Sequence, residues 1–131
     1  MKGQRLFVRP IEASDRDAVR RFLADYAAGR EVPRAGLLGK LVGDLVAVLA
    51  MTIEQEAIRV DDLVVAPELR RKRIGRVMIE ELAAIAAKME RGSLVVEEGT
   101  GAREFLVRTG FKDEKGRMVR RVGGNARGFG G

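Results

Sequence analysis

Residues 57–97, AIRVDDLVVAPELRRKRIGRVMIEELAAIAAKMERGSLVVE, constrain the fold more than any other part of the chain. An apolar, β-branched run reaches Ala66-Pro67, where a strand has to stop because proline brings no N–H to a ladder. From Ile74 the apolar positions Ile74, Val77, Met78, Leu82, Ile85 and Met89 keep helical spacing until Gly92. SLVVE then reads as a short buried strand. A strand, a long helix and a second strand in this succession predict a parallel crossover.

The flanking segments predict antiparallel neighbours. RLFVRP reads as a first strand closed by Pro10, and SDRDAVRRFLADYAAG as a helix. In that helix Ser14 is the expected cap, Asp15 and Asp17 occupy the first turn, and Val19, Phe22, Leu23 and Tyr26 fall on one core-facing side. LLGKLV and LVAVLAMTI flank Gly43-Asp44, a two-residue hairpin signal. GAREFLVRTG reads as a short helix with Ala102, Phe105, Leu106 and Thr109 on one face, and FKDE-KG-RMVRRV as a final hairpin. The expected order is β-α-β-β-β-α-β-α-β-β, an α/β (α+β) chain with a mixed central sheet of about seven strands flanked by helices. Residues 1–122 are expected to form a single domain. The tail GGNARGFGG, 123–131, is expected to be disordered, since five glycines in nine residues do not offset the entropy of ordering.

Composition removes whole classes of chemistry. The 131 residues include no cysteine and no histidine, so thiolate or imidazole nucleophiles, disulfides and the common zinc centres are excluded and no metal is expected. Any reaction has to run on carboxylates, hydroxyls, Tyr26, Lys, Arg and backbone groups. The longest uncharged apolar run, Leu45 to Ile53, is far short of the ~20 residues that span a bilayer, so no membrane partner is expected. MKGQRLFVRP carries charge but no apolar signal core, which makes the cytoplasm the expected compartment. The net charge of +6 favours anionic partners without choosing among them.

The choice comes from position. Five of the nine residues after Pro67 are Arg or Lys, and they lie where a strand hands over to a helix. A helix start offers unpaired N–H groups and the positive end of the macrodipole, which suits a phosphate or pyrophosphate.

LVVAPELRRKRIGRVMIEEL resembles the acyl-CoA-binding motif of the GNAT superfamily of N-acetyltransferases, in which a strand ending in Val-x-Pro runs into Arg/Gln-x-x-Gly-x-Gly/Ala and a long helix. AREFLVRTGF resembles that family's later motif, a short helix leading through Gly-Phe into the next strand. The resemblance spans Arg5 to Val122. It implies that the backbone of Leu63, Val64 and Val65 pairs with the pantetheine arm, and that Arg70, Arg71, Lys72, Arg73, Ile74, Gly75 and Arg76 cradle the pyrophosphate of acetyl-CoA. Arg70 matches the motif's opening residue and Gly75 its second glycine. Arg73 stands where the family has its first glycine. It either adopts a left-handed conformation at a cost of about 1–2 kcal/mol or stays at negative φ with its side chain outward.

The catalytic positions of the resemblance depart further. The family's thiolate-protonating tyrosine aligns with Leu106, an asparagine before that helix with Gly99, and a glutamate of the fifth strand with Leu94; Glu97 and Glu98 lie just beyond it. A thiolate with a pKa near 8 to 9 leaves without a dedicated donor, but the amine must be deprotonated and the carbonyl polarised. Asp61, Asp62 and Glu54, with Glu56 nearby, are the general-base candidates. The expected function is acyl-CoA-dependent N-acyl transfer from acetyl-CoA to an amine, small molecule or peptide. The rivals are a catalytically silent acyl-CoA-binding module and a basic nucleic-acid-binding domain. Few aromatics are available for base stacking, so nucleic acid is not the expected partner. AAGREVPRAG leaves little room for a second helix before the next strand, and a homodimer is left open.

Overall fold

Buried apolar runs in β2, β3 and β5 and alternating burial in β4 mark the strands, which hydrogen bonding orders into one seven-stranded sheet, β1-β2-β3-β4-β5-β7-β6. The strands are β1 (Leu6–Pro10), β2 (Gly36–Leu41), β3 (Asp44–Ile53), β4 (Ala57–Val65), β5 (Ser93–Val96), β6 (Lys112–Glu114) and β7 (Arg117–Arg121); the helices are α1 (Arg16–Tyr26), α2 (Ile74–Lys88) and α3 (Arg103–Arg108). The computed structural model describes residues 5–97 and 102–122, apart from the side chain of Arg71. Glu98, Gly99 and the 123–131 tail lie outside the described residues. The element order matches the sequence reading, with short 3-10 turns added at Ala13–Asp15 and Pro67–Lys72. Pairing is antiparallel from β1 through β2 to β3 and parallel between β4 and β5, as the crossover requires. Among the described residues no helix is long and apolar enough to cross a membrane.

Two compact units share these elements: Met1–Met51 with Asp62–Met78, and Thr52–Asp61 with Ile79–Gly131. In the first, Val19, Phe22 and Leu23 of α1 pack with Leu38, Val48, Val64 and Ala66 in one buried cluster. These residues recur at helical spacing on α1, so a single face supplies the contact. Gly36 is required beside it, because a Cβ there would overlap the carbonyl oxygen of Leu49. No helix intervenes between Tyr26 and Gly36.

Three local expectations change. Ser14 does not cap α1: it lies inside the 3-10 turn, and the entry to the helix is organised by Asp15, which accepts the Glu12 N–H at 2.7 Å and a bidentate pair of bonds from Arg9 at 2.7 and 2.8 Å. A buried carboxylate with a guanidinium fork outcompetes a hydroxyl for this place. Tyr26 is half-exposed, its ring stacked at a tilt on Phe22 with centroids 5.0 Å apart, because α1 ends there and its apolar face runs out. The hairpin turn is Val42-Gly43, one residue earlier than expected, with Leu41 opposite Asp44. Both turn residues have positive φ, 52° and 85°, the signature of a type I′ turn. Beyond the turn-adjacent pairs, a bulge at Gly39/Lys40 shifts the register by one residue.

In the second unit, β4 and β5 pair in parallel over Ala57–Arg59 and Ser93–Val95, and β5 pairs with β7 on its other side. Arg91 fixes the β3–β4 turn by donating to the Glu54 carbonyl at 2.7 Å and to the Met89 carbonyl at 2.8 Å. Arg120 donates to both carboxylate oxygens of Glu80 and to the Thr109 carbonyl, joining α2, the end of α3 and β7. Leu106 and Phe111 are buried.

Two predictions follow from the first unit. Val42 is β-branched, left-handed and 72% exposed, so Val42→Asn loses little burial and should gain about 1 kcal/mol by relieving the turn, read as a higher melting temperature. The Arg9 fork and the Glu12 N–H hold the Asp15 carboxyl well below the usual carboxylate range. The stability this supplies is complete above the unfolded value near 3.8 and is lost as pH falls towards the lower folded value. Asp15→Asn should therefore lower the melting temperature at neutral pH and flatten its fall below about pH 4.

Candidate functional site

The strand-to-helix junction is built from the core outward. Val64 and Ala66 are buried while Leu63 and Val65 are half-buried, so the C-terminal end of β4 is anchored through alternate side chains. The Ala66 N–H donates to the Val46 carbonyl at 2.9 Å, and Pro67 then ends the ladder. The chain turns through Pro67–Lys72, with the Leu69 N–H returning to the Ala66 carbonyl at 2.9 Å and its side chain packed on the α1 cluster.

Arg73 closes the turn in the left-handed region at φ 63° and ψ 22°. Of the two conformations the sequence left open, the structure takes the strained one. The position has the backbone a glycine would take, at a cost of about 1–2 kcal/mol for a side-chain-bearing residue. The Arg73 carbonyl accepts the Val77 N–H at 3.1 Å, the first bond of the α2 ladder, so the N–H groups of Ile74, Gly75 and Arg76 have no partner within the helix. Ile74, 3% exposed, pins this first turn to the core. Arg70, Lys72, Arg73 and Arg76 are exposed around it, and the first turn of α2 holds no acidic residue. Backbone donors, the helix dipole and four exposed cations thus fall within seven consecutive residues, 70–76, an arrangement suited to a phosphorylated ligand.

The three carboxylates proposed as bases are all engaged, Asp61 and Glu54 on one guanidinium and Asp62 on another. Consecutive residues of a strand point to opposite faces, so Asp61 and Asp62 cannot act as a pair. Asp61 accepts from Thr52 Oγ1 at 2.6 Å and from Arg59 Nε at 2.7 Å, and the same guanidinium donates to Glu54 at 2.9 Å and to Thr52 Oγ1 at 3.0 Å. The Asp61 hydrogen bond, followed by its charge, raises the Arg59 pKa further. Asp62 is paired with Arg30 and also accepts the Leu63 N–H at 3.0 Å. Glu56 is exposed.

Arg59, Thr52 and Arg30 are absent from the candidates read from sequence. Arg59 is two residues from Asp61 on the same strand face, so strand periodicity alone could have found it. Arg30 lies 32 positions from Asp62, and no local pattern connects them.

The Acetyltransferase (GNAT) family model matches residues 5–111. No curated protein matches the sequence. Among solved structures, the ribosomal-protein-S18-alanine N-acetyltransferase of Escherichia coli superposes with a TM-score of 0.74 at 14% identity, over 90% of this chain and 94% of that one. The GNAT family N-acetyltransferase YhbS of Escherichia coli, in complex with CoA, gives 0.74 at 13% identity over 98% and 88%. The PaiA N-acetyltransferase of Thermoplasma acidophilum, in complex with coenzyme A, gives 0.68 at 13% over 89% and 99%. At such identities the likeness is one of fold, and with the family model covering most of the sequence, the chain belongs to the GNAT acetyltransferase family.

Proposed function

We propose that the protein is a cytoplasmic N-acyltransferase that takes the acetyl group from acetyl-CoA and passes it to an amine. The observation that carries this reading is the α2 start, where three N–H groups without a helical partner lie among exposed Arg70, Lys72, Arg73 and Arg76 immediately after a strand end. The pyrophosphate sits on those amides, and the pantetheine arm runs back along Leu63–Val65. Neighbours of the same fold bound to CoA support the ligand class.

The reaction asks little of the protein in covalent terms. The amine of the acceptor is the nucleophile, so the missing cysteine and histidine remove nothing the step requires. The neutral amine attacks the thioester carbonyl, the C–N bond forms, and the C–S bond breaks with CoA leaving as thiolate. Catalysis comes from alignment of donor and acceptor and from removal of the ammonium proton.

A second reading is a binding module that holds acyl-CoA without turning it over. Its support is Leu106, 5% exposed, which is a buried hydrocarbon where the resemblance implies a proton donor.

Calorimetry with acetyl-CoA and with CoA tests the donor site. Ligand at about a hundred times its dissociation constant should stabilise the fold by ~2.7 kcal/mol. No heat and no change in melting temperature would remove both readings. Arg70→Ala and Lys72→Ala should each weaken CoA about two- to tenfold at low salt and less at high salt. Losses confined to CoA and absent with dephospho-CoA would move the contact to the 3′-phosphate.

Leu106 separates the two readings. Leu106→Tyr inserts a larger side chain at a buried position and should cost about 1–3 kcal/mol of stability. An enzyme that lets solvent protonate the thiolate should then show an unchanged chemical step at an unchanged CoA affinity. If wild type and Leu106→Tyr both bind acetyl-CoA and neither acetylates any amine of a broad panel, the binding-module reading stands.

A further inference from the structure

Asp62 stands out on β4. Even-numbered positions of this strand are apolar and buried, with Ile58 fully enclosed, Val60 8% and Val64 9% exposed, and Ala66 continues the series. Asp62 interrupts them with a carboxylate whose side chain is 31% exposed. A charge at a core-facing position costs desolvation unless it is paired and hydrogen-bonded. It is both here, to the Arg30 guanidinium and to the Leu63 N–H. Arg30 comes from the link between α1 and β2, and its side chain is 56% exposed, so one side of the pair is open to incoming solute.

We infer that the acceptor is a small amino acid, carrying a carboxylate within a few bonds of its amine, and that it enters by exchanging with Asp62 at Arg30. The inference rests on the proposed acetyl-CoA reading, which runs the donor from the α2 start back along Leu63–Val65 and so delivers its thioester end towards Asp62, the residue preceding that segment. The substrate carboxylate takes the guanidinium from Asp62. Asp62 holds the guanidinium through one terminal nitrogen only, so a substrate carboxylate that forks onto both terminal nitrogens displaces it and leaves it beside the substrate's ammonium group. Asp62 accepts one ammonium proton. The neutral amine then attacks the thioester carbonyl, the N–C bond forms, the C–S bond breaks, and the second proton passes from the amide nitrogen through solvent to the CoA thiolate. Asp62 returns its proton to solvent and re-forms its pair with Arg30 when the product leaves.

The pair is thus a substrate-operated latch. An amine without a carboxylate leaves Asp62 on Arg30 instead of beside the ammonium group. Asp61 does not fill this role, because Thr52 and Arg59 both hold it and Arg59 is shared with Glu54.

The test compares free L-amino acids with their carboxamides as acceptors at saturating acetyl-CoA. Expected is a preference in kcat/KM for acids over amides. Arg30→Gln should shrink that ratio by about tenfold to a hundredfold, the worth of one charge-assisted contact, and Arg30→Lys should restore part of it. Asp62→Asn should lower kcat more than it raises KM, with the deficit narrowing at high pH, where neutral amine no longer needs a base. Calorimetry with acetyl-CoA on each variant checks that the donor site is intact. Amides used as well as acids, equal losses on both in Arg30→Gln, or acetyl-CoA binding with no turnover of either class would each overturn the latch while leaving the donor site standing. Absence of acetyl-CoA binding in the wild type would instead remove the reading on which it rests.

Discussion

The bond from the Ala66 N–H to the Val46 carbonyl is where the architecture commits itself. It fixes the last paired position of β4, and Val64 and Ala66 hold the same register through burial with Val19, Phe22, Leu23, Leu38 and Val48. A slip of one residue would turn Arg59 and Asp61 towards the core and expose Ile58 and Val60, an exchange no rearrangement of neighbours repairs. With the register fixed, Pro67 stops the ladder at one place only, and the turn that follows delivers Ile74 to its buried position. The first-turn amides of α2 without a helical partner are therefore a consequence of core packing several residues away.

Packing that rigid can hold a residue where it would not otherwise stay. Arg73 is left-handed although it has a Cβ, because Leu69 on one side and Ile74 on the other are both tied to apolar surroundings. A glycine would reach the same backbone without strain. An arginine keeps the backbone and adds a cation beside the helix start, which trades a little folding stability for local field. The same trade is not visible at Val42, whose exposed apolar side chain adds no charge to its turn.

What the sequence made legible follows from the range of the forces involved. The β4–α2–β5 crossover, the long helix and both hairpins are written in local periodicity and turn chemistry, so they could be read with the chain unfolded on the page. Errors of one residue, as at Val42-Gly43, arose where a bulge at Gly39/Lys40 altered the count, and a bulge leaves no local mark beyond its glycine. The capping of α1 was misassigned to Ser14 because the better partner of Asp15, Arg9, lies on the preceding strand. At the candidate site the basic strand-to-helix junction was readable as a contiguous motif. The surroundings of the carboxylates were less so: Arg59, two residues from Asp61 on one strand face, was within reach of strand periodicity, but Arg30 is brought to Asp62 by the chain's path after α1.

Those arginines also decide how firmly each carboxylate of β4 is held. A carboxylate held by a guanidinium has its lone pairs engaged, and releasing it opens them to another donor. Arginine suits the holding role because its own charge does not titrate in any accessible range, so the only variable is which anion occupies its fork. Asp61 is held by a guanidinium that is shared with Glu54 and backed by a Thr52 hydroxyl, so displacement by a ligand would have to break several bonds at once. Asp62 has a single arginine on an inter-element link and one backbone N–H. The proposed role falls to Asp62 and not to Asp61 because fewer partners must be given up to free it.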